Sequence, residues 1–280
     1  MLKCQGCQFA AMAIFLHSSE NTEVIPEFTC VVGVDAHCLP YLKHTVPTWR
    51  KNQPALFERP WLVFFDPKQV TRDEVAESGL QGPTFEYVPW VGTEYENQRA
   101  SMLSAHVYIC RQIETPYSLK IDWDALAVEP VEFPKAEWFE GDPVICGANF
   151  GYTRAKGGGG NLDEWVERLE AFGDRHFGTE RAGWADQIRS REHPKGAKLG
   201  VRRFVSWIGF QRTDWVRDMC DLFESDFGPG KLPVPSQDTS LWAAAVRSNS
   251  PMFASKQVTK GWANRTSVRG CAKVAKEVLS

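Results

Sequence analysis

Apolar residues in this chain fall into short unbroken runs at first and into helical stripes further on. Phe28 to Val34 is nearly continuous in apolar residues and stops at Asp35. Such a run predicts a strand buried on both faces. Trp61-Leu62-Val63-Phe64-Phe65 repeats the pattern after Pro60 and also stops at an acid, Asp66. Thr84 to Trp90 alternates apolar and polar positions, which predicts a third strand. Tyr117 to Ile121 predicts a fourth, running into Asp122-Trp123-Asp124. Between these runs, Leu39 to Val46 predicts a short helix with Pro40 in its first turn and Pro47 as its stop. Asp73 to Leu80 predicts another short helix. From Gln98 to Gln112, Met102, His106, Ile109 and Ile113 share one face of a 3.6-residue period.

Beyond residue 130 the signals are wider apart. Asp142 to Asn149 predicts a strand, Gly157 to Gly160 a loop, and Leu162 to Phe172 a helix capped by Asn161. Asp214 to Asp226 predicts a helix with Trp215, Met219, Leu222, Phe223 and Phe227 along one side. Ser236-Gln237-Asp238-Thr239 opens a last helix through Val246. The charged stretch 174–205 yields no element. Strands alternating with helices predict an α/β fold: a mostly parallel central sheet flanked by helices. The chain divides into a lead-in (1–27), a first half (28–130) and a second half of the same domain (131–280).

Composition narrows the function classes. The chain has 280 residues with a formal net charge of −3, which argues against a nucleic-acid binder, since those carry a basic excess. Its longest apolar run, Phe9 to Leu16, falls short of the ~20 residues a membrane span needs. No small-residue cleavage site follows that run. Of the 8 cysteines only Cys4 and Cys7 form a Cys-x-x-Cys pair, with no second pair to complete a zinc site. They read as ordinary reduced thiols, and a cytoplasmic location is expected. The basic run from Arg189 to Lys195, with Lys198, Arg202 and Arg203, is a solvated surface by default. It leaves contact with phosphate or with an anionic membrane face open, as a peripheral contact only.

The chemistry concentrates at Lys120-Ile121-Asp122-Trp123-Asp124. On a strand end, Asp122 and Asp124 point the same way and Trp123 the other. Two carboxylates that close repel unless a proton or a cation sits between them. A hard divalent ion bridging them to phosphates is the usual solution. In an open α/β sheet, ligands bind beyond the carboxyl ends of the strands, and Asp35, Asp66, Asp122 and Asp124 all stand there. The competing explanation is structural, because Asp is common where strands end in turns. The tetraglycine lacks the Lys-Ser/Thr of a phosphate-binding loop; it reads as a linker or as a lid.

These residues resemble a GT-A-fold nucleotide-sugar glycosyltransferase, with a family-2-like pattern, over residues 28 to about 247. Val31 to Asp35 and Trp61 to Asp66 resemble its first two strands. Asn97-Gln98-Arg99 resembles its Arg-bearing helix start, and Tyr117 to Asp124 its Asp-x-Asp metal motif. Ser206 to Phe210 resembles the acceptor-side Gly-Phe segment, and Gln237-Asp238 before Leu241-Trp242 its catalytic-base position. The resemblance implies a GT-A-like, Rossmann-like sheet with a C-terminal acceptor-side extension. It implies Mn2+ or Mg2+ on Asp122 and Asp124, with donor contacts from Asp35, Asp66, Arg99, Lys120 and Asp122. Acceptor contacts would come from Trp207, Gly209 and Phe210, and Asp238 would be the base. The implied partners are a UDP- or GDP-linked sugar and a carbohydrate or glycolipid acceptor. Arg99 and Lys120 could equally pair with the acids. Departures from the pattern are the lack of any His after His193, and Gln237-Asp238 with one carboxylate where the family has an acidic pair. Asp238 also stands where a helix cap would. The alternatives are a sugar nucleotidyltransferase and a non-catalytic GT-A-like carbohydrate-binding protein.

Overall fold

The computed structural model describes residues 24–90, 98–148, 150–154, 162–178, 199–204 and 207–280. Cys4, Cys7, the Phe9–Leu16 run, the tetraglycine, Asn161 and the basic stretch from Arg189 to Lys198 lie outside the described residues. In chain order the elements are β1 (Phe28–Val34), α1 (Leu39–Asn52), β2 (Trp61–Phe65), α2 (Arg72–Glu77), β3 (Phe85–Pro89), α3 (Gln98–Tyr108), β4 (Tyr117–Ile121) and β5 (Ala125–Ala127). There follow β6 (Ile145–Gly147), β7 (Phe150–Arg154), α4 (Leu162–Phe177), β8 (Leu199–Phe204) and β9 (Ile208–Arg212). The chain closes with α5 (Thr213–Phe227), α6 (Gln237–Arg247), β10 (Met252–Ala254), β11 (Trp262–Asn264) and α7 (Val268–Leu279).

Seven strands form one sheet in the order β10-β6-β9-β4-β1-β2-β3. The pairs β1–β2, β2–β3, β1–β4 and β6–β10 are parallel, and β9 runs antiparallel to both β4 and β6. The mostly parallel α/β sheet that the sequence predicts is present, with strands from both halves of the chain in it. β1 lies inside the sheet between β4 and β2, and every one of its residues is buried, which is why its sequence is a nearly unbroken apolar run rather than an alternating one. A second apolar cluster gathers Trp165, Leu169 and Phe172 of α4 with Val216 and Phe223 of α5 and Trp242 of α6. Among the described residues no helix is long and apolar enough to cross a membrane.

Helix α1 departs from expectation, because it continues through Pro47 to Asn52. An internal Pro costs a helix about 3 kcal/mol. The turn beyond it buries Trp49 completely, and burying an indole of roughly 150–250 Å² contributes about 4–6 kcal/mol, so packing wins. Other boundaries shift as well: α2 stops at Glu77, α3 gives way to a 3-10 turn after Tyr108, β6 is only Ile145–Gly147, and α4 extends to Phe177. The stretch left without an element contains β8, which pairs antiparallel with β7.

α1 also sets the path of the chain after β4. Thr45 Oγ1 donates to the Trp123 carbonyl at 3.0 Å, Trp49 Nε1 to that of Ala125 at 2.7 Å, and Asn52 Nδ2 to that of Ala127 at 2.8 Å. Positions 45, 49 and 52 share a helix face, while carbonyls 123, 125 and 127 recur at the strand period of two. Thr48 Oγ1 accepts the Ala127 N–H at 3.1 Å. β11 then pairs antiparallel with β5, Asn264 opposite Ala125, and α7 lays Cys271 and Ala275 in a small core with Tyr41 and Leu126.

Replacing Thr48 by Val keeps the shape and leaves a buried N–H without an acceptor. Thr48→Val is expected to lower unfolding free energy by about 1–3 kcal/mol in urea titration, and Thr48→Ser to retain most of it; equal loss in both would place the effect in packing.

Candidate active site

The parallel strands bring the acids to one rim. The last registered pair of β1 and β2 is Val34 opposite Phe65, so Asp35 and Asp66 follow side by side. Each is buried and engaged locally. Asp35 Oδ1 accepts the Cys38 N–H at 3.0 Å, turning the chain into α1. Asp66 Oδ1 accepts the Lys68 N–H at 3.0 Å, and its Oδ2 accepts from Gln69 Nε2 at 2.7 Å. The turn-forming use of Asp at strand ends is therefore realised at both.

At the third acid the local geometry differs from a strand end. β4 stops at Ile121, and the Ala125 N–H donates to the Asp122 carbonyl at 3.0 Å, which closes a turn over 122–125. Asp122 and Asp124 are neighbours because of this turn, not because of strand alternation. Trp123 packs away from the acids, 4.4 Å from the Tyr41 ring centroid and 5.1 Å from that of His37. The Asp124 carboxyl is pushed up to about 6, first by burial and next by the charge of Asp122. Ionising it thus costs folding free energy: the penalty is absent below the ordinary carboxylate range and grows as pH rises through about 6. Asn264 Nδ2 donates to Asp124 Oδ1 at 2.7 Å, holding one oxygen from the far end of the chain.

Lys120 lies on the same stretch, its side chain only 5% exposed. Its Nζ is 2.9 Å from Asp122 Oδ1 and 3.8 Å from Asp238 Oδ1. Asp238 sits in the first turn of α6, whose cap position is Ser236, so the capping alternative for Asp238 is not what the fold uses. Lys120 is opposite Gly209 on β9, and Gly209 is opposite Gly147 on β6. Neither glycine places a side chain beside the lysine.

The other expected positions separate. Trp207 joins the rim, since its carbonyl accepts the Asp122 N–H at 2.7 Å. Gly209 stands beside Lys120. Phe210 does not come to the site: it is fully buried, with ring centroids 5.3 Å from Phe28 and 5.1 Å from Phe139. It pairs across the sheet with Leu119 and so takes the face opposite Lys120. Arg99 is in the first turn of α3, and its side chain lies outside the described residues.

Three residues to which the sequence pattern assigns no role of their own stand near these acids. Asn264 is the first, and no local pattern announces it. Gln237 is completely buried, next to Asp238, with neither amide atom hydrogen-bonded. Such an orphan is rare inside a protein. His106 was visible only as an apolar-face position of α3. It is buried edge-on to Phe64 at 4.6 Å with Nδ1 unpaired. Burial, with the Lys120 charge second, pushes its pKa well down, so the ring is neutral. Gly33 makes room for it, because a β-carbon there would fall inside the Phe64 ring and 3.1 Å from His106 Nε2.

Among the described residues no group of three or more His, Cys, Asp or Glu gathers that could hold a metal. Asp122 and Asp124 nevertheless suit a hard divalent cation. They offer oxygen ligands, and the Asp124 carboxyl is pushed up first by burial and next by the charge of Asp122, a repulsion that a cation between them would relieve. A cation that keeps waters and takes phosphate oxygens needs only one or two carboxylates from the protein.

No protein-family model matches the chain, and no curated protein matches it. Solved structures do. Core-mannan synthase A (CmsA/Ktr4) from Aspergillus fumigatus, in its Mn/GDP form, aligns over 82% of this chain and 73% of its own at 13% identity, with a TM-score of 0.53. The mannosyltransferase Ktr4p from S. cerevisiae, in complex with GDP, aligns over 91% and 73% at 10% identity, with a TM-score of 0.50. At such identities the likeness is one of architecture, and it agrees with the sheet order and flanking helices above: the chain has the GT-A-like fold of glycosyltransferases.

Proposed function

We propose that this protein transfers a sugar from a nucleotide-diphosphate donor to an acceptor hydroxyl, with Mn2+ or Mg2+ held by Asp122 and Asp124. One observation carries the reading: the 122–125 turn gathers two carboxylates at the end of β4, and the buried Lys120 links one of them, Asp122, to Asp238 on α6. The Mn and GDP forms of the two mannosyltransferases above support a nucleotide and a metal.

In this reading Asp35 and Asp66 hold the nucleoside at the neighbouring strand ends. Lys120, and Arg99 from the start of α3, receive the diphosphate oxygens. A bound divalent cation neutralises the charge of the leaving diphosphate. Asp238 accepts the proton of the attacking hydroxyl. Trp207 lines the acceptor side. The nucleotidyltransferase alternative is disfavoured, because Asp35-Ala36-His37-Cys38 turns directly into α1 and leaves no basic Gly-rich loop after β1. A sugar-binding protein without turnover is the second reading, favoured because among the described residues no third acid or His gathers with Asp122 and Asp124 as a metal group.

Asp124→Asn removes the repelling charge and keeps an acceptor for Asn264. The metal-free variant is expected to be more stable than wild type by about 1–3 kcal/mol. It is also expected to lose the Mn2+-dependent rise in melting temperature with UDP or GDP. A nucleotide shift that survives this substitution refutes the assignment. Asp238→Asn is expected to keep the nucleotide shift while transfer falls about 10²–10⁴-fold in a donor-consumption assay. A wild-type protein that binds nucleotide sugar and neither transfers nor hydrolyses it across an acceptor panel would be the non-catalytic relative.

A further inference from the structure

We propose that the outer face of the helix pair α1 and α7 docks this protein on an anionic lipid surface. Donor and metal binding play no part in this inference, which rests on how charge is laid out along the two helices.

The helices run side by side in the same direction. Tyr41 Oη, near the start of α1, donates to the Thr266 carbonyl at 3.3 Å, and Lys51 Nζ, near its end, donates to the Val278 carbonyl at 2.7 Å. On α7, Arg269, Lys273 and Lys276 recur at i, i+4 and i+7 and are exposed, which makes one stripe. Cys271 and Ala275 are buried; each follows a stripe residue by two positions and so lies about 160° round the helix from it. On α1 the exposed cations are Lys43, Arg50 and Lys51, and the helix contains no Asp or Glu. Arg50 donates to the Gly79 and Gln81 carbonyls, and Lys51 to that of Val278. Those acceptors are neutral, so both side chains keep their charge unmatched. Glu277 is the one acid on the pair. α5 shows the contrast, with Asp214, Asp218, Asp221 and Glu224 against Arg217.

Helix electrostatics account for part of this layout. Cations in a last turn suit the helix dipole, which covers Arg50, Lys51 and Lys276. Arg269 is in the first turn of α7, where a cation is unfavourable, and Lys43 and Lys273 are interior. An anionic surface facing the pair explains all six. The chain as a whole carries −3, so the residues outside this face are acidic in sum and turn away from such a surface. Clusters of four to eight Lys or Arg on an amphipathic helix suit anionic headgroups. Leu279, 42% exposed at the end of α7, adds an apolar side chain that lipid can take up and a nucleic acid cannot use. Arg265, one turn before Arg269, donates its backbone N–H to the Asp124 carbonyl at 3.3 Å. The docked face therefore begins beside the rim and brings it to the edge of the lipid. It is separate in sequence from the basic stretch 189–203.

The test is sedimentation of the full chain with vesicles of phosphatidylcholine alone and of phosphatidylcholine mixed with phosphatidylglycerol. Wild type is expected to pellet with the anionic vesicles and to stay in solution with the neutral ones. Salt at about 0.5 M should weaken that binding. Each Lys or Arg near an anionic surface contributes about fivefold in partitioning. The triple variant Arg269→Gln, Lys273→Gln, Lys276→Gln is thus expected to bind about a hundredfold more weakly, with circular dichroism reporting its folding. Arg168→Gln on α4 should bind as wild type does. Equal binding to both kinds of vesicle, binding to neither, or anionic binding that the folded triple variant retains overturns the inference. Should the triple variant not fold, Lys273→Gln alone decides, with a loss of about fivefold expected and no loss overturning it. A short DNA duplex that binds more tightly than the anionic vesicles, and does so through the same residues, overturns the lipid assignment.

Discussion

The structure depends on a match between two periodicities. One face of α1 carries Thr45, Trp49 and Asn52, and every second carbonyl from Trp123 to Ala127 accepts from it. The segment after β4 needs those donors because it is buried, and a buried carbonyl without a partner costs free energy. Satisfying them fixes where the chain leaves the sheet, and therefore where the 122–125 turn presents its acids. α1 tolerates Pro47 in its middle because the residues on either side of the proline are needed for this contact.

The rim concentrates charge where the chain is largely buried. Lys120, Asp124 and Asp238 sit where solvent screens poorly, so each depends on the others. The neutral His106 and the unpaired Gln237 amide lie at the edges of this group. Neither adds to the core as a hydrophobic residue would, and both keep polar capacity in reserve. Proteins rarely keep such groups buried for stability alone. Their presence beside an ionic cluster at the carboxyl end of parallel strands is what distinguishes this rim from the opposite edge of the sheet, where Tyr117, Asp142 and Arg212 pair with one another.

Much of this was legible in the sequence, for identifiable reasons. β1, β2 and β4 announce themselves because strands covered on both faces must be apolar throughout. The acids of the rim follow because parallel strands all end at the same side. What stayed hidden depended on parity or on distant pairing. A Gly-Phe dipeptide reads the same whether the Phe faces ligand or core. Only the pairing of Gly209 with Lys120 and of Phe210 with Leu119 decides it. The insertion of β9 between β4 and β6 has no local mark. α7 did have one: Ser267, whose side chain accepts the Gly270 N–H, stands before Val268, Cys271, Ala275 and Val278 on one face. Asn264 had none, being far from Asp124 in sequence and joined to it only through β5 and β11.

That last contact has a consequence for how the protein is made. The carboxylate of residue 124 waits for an amide 140 positions downstream. During synthesis, β1 to β4 can leave the ribosome and pair while Asn264 is still inside the exit tunnel. A nascent chain can thus pair β1 to β4 before it holds Asp124 in place. The order of emergence separates the pairing of these strands from the fixing of the acid beyond them.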